Sequence, residues 1–114
     1  MSNKVNNFKE INGGISAEQI SAWKNQHGRI SEVRVTDPEL CETHIGYFKR
    51  PDMKTMEAVS ATSKTNELRG SQVLFDNCWL GGSSLLQSDA IMKMEALAAL
   101  SEIFNKATHE LKNL

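Results

Sequence analysis

The chain has 114 residues, 39% of them hydrophobic and 24% charged, with a formal net charge of −1. That is the size and balance of one globular domain, able to bury about two-thirds of its unfolded surface without disulfide staples. The charge argues against a nucleic-acid or membrane-surface protein, and no run of about 18 apolar residues exists to span a membrane. With only Cys41 and Cys78, and no apolar leader in Met1-Ser2-Asn3-Lys4-Val5, the expected setting is the cytoplasm with reduced thiols.

Residues 1–14 are polar and Asn-rich and end in Gly13-Gly14, so they read as a flexible N-terminal tail. A single α+β domain is expected over 15–114. Its first helix is announced by Ser16 with Gln19 three residues on, a capping box, and by Ile15 and Ile20 placed as a hydrophobic staple. Trp23 lies on its apolar face and Gly28 stops it.

A hairpin follows. Val33 and Val35 alternate with Glu32, Arg34 and Thr36, the period of a half-buried strand, until Asp37-Pro38 breaks it. The return strand runs from about Thr43 to Lys49, with Ile45 and Tyr47 on one face and His44, Gly46 and Phe48 on the other.

Pro51 forces Arg50 into an extended conformation, and Asp52 caps a helix carrying Met53 and Met56 that fades near Thr62-Ser63. Thr65 is placed to cap the next helix, where Leu68, Ser71, Phe75 and Trp79 recur at helical steps. Gly70 inside it marks either a close helix crossing or a later start capped by Ser71. Gly81-Gly82-Ser83-Ser84 reads as a helix stop and connector. Ser88 or Asp89 then caps a last helix to about Lys112, with a seam of Met94, Leu97, Leu100, Phe104, Ala107 and Leu111. The expected fold is therefore α+β: an N-terminal helix and β-hairpin, then a three-helix C-terminal bundle.

No reactive constellation emerges. Cys41 and His44 have the spacing of two metal ligands, but half a zinc motif is weak, and a strand-entry cysteine beside a strand-face histidine is the plainer reading. Cys78 beside Trp79 reads as a small buried hydrophobe. The Gly81–Ser84 run lacks the Gly-Lys-Ser/Thr ending of a phosphate loop. Lys49, Arg50, Lys54 and Arg69 near Tyr47 and Phe48 are diluted by Asp52, Glu57 and Glu67, so a nucleic-acid interface is not expected.

The order of these signals is itself informative. Trp23 and His27-Gly28-Arg29-Ile30 are followed by Tyr47-Phe48-Lys49-Arg50-Pro51-Asp52-Met53-Lys54-Thr55-Met56. Asn77-Cys78-Trp79-Leu80-Gly81-Gly82 and a final helix come next. Across residues 16–112 this resembles small proteins of tailed-phage and prophage structural modules, and is similar to phage tail assembly chaperones. The resemblance implies a non-enzymatic assembly protein of the bacterial host cytoplasm, without cofactor or metal. It would bind a tape-measure or tail-tube-like partner during tail assembly and be absent from the finished particle. The partner-binding surface is then expected at Met53, Met56, Cys78, Trp79, Leu80, Leu97 and Phe104, engaging a helical segment with aromatic and methionine anchors. A homo-oligomer is expected without the partner. The alternatives are a structural virion component such as a head–tail connector subunit, and a small enzyme or nucleic-acid-binding domain.

Overall fold

The computed structural model describes residues 8–114. In chain order it holds β1 (Lys9–Ile11), α1 (Ala17–His27), β2 (Ile30–Asp37), β3 (Glu42–Lys49), α2 (Met53–Ser63) and α3 (Glu67–Cys78). Then come β4 (Trp79–Gly82), α4 (Leu85–Ser88), α5 (Ala90–Ser101) and a 3₁₀ turn at Glu102–Asn105. The expected α+β class holds: an N-terminal helix, a hairpin and then helices.

The sheet is built around β3. Its whole length pairs antiparallel with β2, from Ile30↔Lys49 to Asp37↔Glu42. Its other edge is shared end to end by two short strands, β1 running parallel against Glu42–His44 and β4 antiparallel against Gly46–Phe48. The first of these corrects the expectation of a flexible tail over residues 1–14: Lys9–Ile11 are a strand, held partly by Lys9 N–H donating to Cys41 O at 3.0 Å. Residues 1–7, with Val5, lie outside the described residues.

Local chemistry sets most boundaries. Ser16 Oγ accepts from Gln19 N–H at 3.1 Å and starts α1. Asp52 accepts from Thr55 N–H at 2.8 Å and starts α2; this bond holds its carboxyl below the usual range. The cap of α3 is Asn66, accepting from Arg69 N–H at 3.0 Å, and neither Thr65 nor Ser71. Gly70 is the close crossing. A Cβ there would lie 3.0 Å from Ser63 Cβ and 3.2 Å from its Cα, so α2 and α3 touch through backbone at this point.

Two expectations about the C-terminal half are corrected. Trp79 is not in the helix and Gly81-Gly82 are not its stop: α3 ends at Cys78, and Trp79–Gly82 form β4. The last helix ends at Ser101, well short of Lys112. Helical stability in short segments comes from burying one face, and beyond Ser101 the apolar side chains Phe104, Leu111 and Leu114 are exposed.

The two faces of the sheet are covered differently. On one, Val33, Val35 and Phe48 meet Leu74, Phe75 and Cys78 of α3, Leu86 of α4, and Met92, Ala96, Leu97 and Leu100 of α5. Phe48 stands edge-on to Phe75 and to Trp79, with centroids 5.1 and 5.4 Å away, and Trp79 stacks on Phe75 at 5.4 Å. On the other, α1 lays Trp23 against Tyr47, with rings 5.9 Å apart, while the Tyr47 hydroxyl lies 3.3 Å from Asn12 Nδ2. The strand faces read from alternation are those observed.

Candidate protein-binding surface

Helix α5, Ala-Ile-Met-Lys-Met-Glu-Ala-Leu-Ala-Ala-Leu-Ser, is apolar nearly all the way round. A helix of that kind is normally buried on every side. Here only one side is, through Met92, Ala96, Leu97 and Leu100. Its outward side leaves Ile91 77% and Met94 51% exposed, and across a groove α3 presents Leu68 at 45%. The groove encloses about 430 Å³ and is lined by Leu68, Met94, Leu97 and Ala98, with Glu67, Ser71 and Ser101 as polar groups in the wall. The groove runs along α5 from Met94 to Ser101, about two helical turns.

The sequence-derived surface residues divide into three groups. Met56 and Phe104 line a shallow cleft with Arg50, Pro51, Ile103 and Ala107, and Met53 is exposed on the same helix as Met56. Trp79 and Leu80 are half-buried on β4, Trp79 within the aromatic cluster. Cys78 and Leu97 are core residues: Cys78 is fully buried, and Leu97, nearly so, packs in the core and reaches the groove only at its floor. The expected seam was rotated, because in a helix apolar on every side periodicity does not mark the inward face. Ile91 lies outside the expected set for the same reason, and Leu68, expected on the seam with Phe75, is exposed in the first turn of α3.

Burial settles the chemistry of Cys78. Desolvation pushes its thiol up from 9.0 to about 11, with Lys49 pulling weakly the other way. A thiol so shielded is no nucleophile at neutral pH. Only exposed Cys41 is expected to react with a disulfide reagent in the native protein, Cys78 following on unfolding; two rapid thiols would overturn the assignment. The sign of the linkage follows. The folded state holds the proton on Cys78 more tightly than the unfolded state, so stability is full below pH 9 and falls as pH rises toward 11. Thermal melts of wild type and Cys78→Ala across that window check this: the wild type should lose more stability with rising pH.

One polar cluster lies inside the fold. His44 Nδ1 is 2.7 Å from Ser83 Oγ, and Nε2 is 3.0 Å from Glu42 Oε1. The order of groups is that of a nucleophilic triad. Yet Ser83 is buried, lines none of the larger clefts, and lies 3.4 Å from the Leu85 N–H at the start of α4. A nucleophile needs space beside it for the reacting atom. This cluster instead ties β3 to the start of α4 and satisfies its buried polar atoms. His44 is thereby accounted for without a metal, and among the described residues no three His, Cys, Asp or Glu side chains gather as a metal site. No helix among them is long and apolar enough to cross a membrane.

No family model matches the chain, and no curated protein matches it. A solved structure does: an uncharacterised protein, rbstp2171, of Bacillus stearothermophilus. It has a TM-score of 0.55 and 18% identity, over 82% of this chain and 99% of that one. At that identity the likeness is one of fold.

Proposed function

We propose that this chain is a non-enzymatic binding protein that captures an amphipathic helical segment of a partner in the groove between α3 and α5. The observation that carries the reading is the unburied apolar side of α5, where Ile91 is exposed and Met94 lines the groove together with Leu68. Exposed apolar patches of this kind mark interaction sites, and methionine suits a groove that adapts to its ligand. The likeness of residues 16–112 to phage tail assembly chaperones supplies the class of partner. A tape-measure or tail-tube-like chain would be held in the cytoplasm during tail assembly.

The test is co-expression with such a chain and titration of the purified pair. Met94→Asp should weaken binding by about 30-fold or more, the loss of one central anchor. Its side chain is exposed, and a thermal melt checks that the fold is retained. Unchanged affinity would sink the groove. A free protein that elutes as a ring of six or more copies would move the reading to a connector subunit.

A further inference from the structure

A second cleft lies where the C-terminal end of α1, the start of β2, the end of β3 and the 3₁₀ turn meet. It encloses about 670 Å³. Four cations line it, Lys24, Arg29, Arg50 and Lys106, with no carboxylate among the lining residues. Among the described residues none of the four has an acidic partner within 4.0 Å, whereas Arg34, a short way along β2, pairs with both Glu10 and Glu32. Ile30 and Ile103 supply apolar surface, both half-buried. The four charges come from residues 24, 29, 50 and 106, so the fold, not a basic run, brings them together.

We infer that this cleft binds an acidic segment of a protein partner, with two or more carboxylates on the four cations and an apolar side chain on Ile30 and Ile103. Four features fix the class. Arginines offer carboxylates paired donors, and lysines add mobile charge at the rim. The apolar surface suits a peptide side chain and is of no use to a small inorganic anion. Nucleic acid is disfavoured because no aromatic ring lines the cleft for base stacking. The run of unpaired cations also ends there: the adjoining depression shares Ser31, Ile103 and Lys106 and adds Glu32, Arg34 and Glu102, with Arg34 already paired to Glu32. The site shares no lining residue with the α3–α5 groove, so it stands or falls separately from the function proposed above.

The experiment is an NMR titration of the full chain with three probes at low salt. These are a 12-residue peptide alternating Glu with Leu, a 12-nucleotide oligothymidylate, and inorganic phosphate. The peptide is expected to shift the amides of Lys24–Ser31 and Arg50, and to bind more weakly as salt rises. Arg29→Ala with Arg50→Ala should weaken it by at least about tenfold, the loss of one charge-assisted contact. Both residues are exposed, and a thermal melt confirms that the variant is folded. Met94→Asp should leave this binding unchanged. No shift at the cleft, equal binding to the double variant, or stronger binding of oligothymidylate or phosphate than of the peptide would each overturn the inference.

Discussion

Gly82→Ala is expected to destabilise the protein by about 3–4 kcal/mol, a large part of what a domain of this size possesses. Two separate costs combine. The backbone at Gly82 has φ +142°, a region that L side chains rarely adopt. A Cβ there would also lie 2.4 Å from Ile45 O and 2.6 Å from Gly46 Cα. Both are backbone atoms of β3, so no rotamer change relieves the clash; the strand pair must separate. Gly14→Ala provides the internal control. It too has positive φ, +80°, but nothing lies within 4 Å of the new carbon, so only the conformational cost of about 1–2 kcal/mol applies. Urea denaturation of the two variants separates the effects. Equal losses would mean that the contact between β4 and β3 is looser than the structure shows.

Phe48→Ala should cost about 3–5 kcal/mol, as for other fully buried aromatics. Phe48 is 0% exposed and stands edge-on to both Phe75 and Trp79, so its removal leaves two rings facing a void. The neighbouring chromophore reports on the damage directly, since the near-ultraviolet dichroism of Trp79 should collapse with the edge-to-face contact. Phe104→Ala removes the same number of atoms from a 44% exposed position beyond α5, and is expected to change stability by no more than about 0.5 kcal/mol. Similar losses from the two variants would contradict the assignment of Phe48 to the core.

The contrast between these phenylalanines shows what the sequence discloses. Period-two alternation in Val33, Val35 and Ile45–Phe48 identifies the hairpin and its two faces, because each strand is long enough to display its pattern. Ser16 and Asp52 name their own helices, and Ser88-Asp89 leave a choice that Asp89 wins, because capping is chemistry within three residues. Lys9–Ile11 and Trp79–Gly82 carry no such mark. They are strands only because β3 offers each of them half an edge, a relation between residues more than 30 positions apart. The same holds for function. In α5 the sequence shows an apolar helix but not its inward side, so Leu97 was expected at the surface and Ile91 was not. The four cations of the cleft, spread from 24 to 106, became neighbours only in the folded chain.

The shared edge of β3 also sets when the sheet can be completed during synthesis. Synthesis delivers β1, β2 and β3 first, so the hairpin and the parallel pair form early. The remaining half of that edge, Gly46–Phe48, stays open until Trp79–Gly82 have been delivered, and its apolar face stays uncovered until α5 follows. For that interval the nascent chain presents an unpaired strand beside Phe48, the kind of surface on which other chains pair. A ribosome that stalls between residues 50 and 78 would therefore release a fragment prone to aggregate, whereas one that stalls after Ser101 would release a chain with its sheet and core complete.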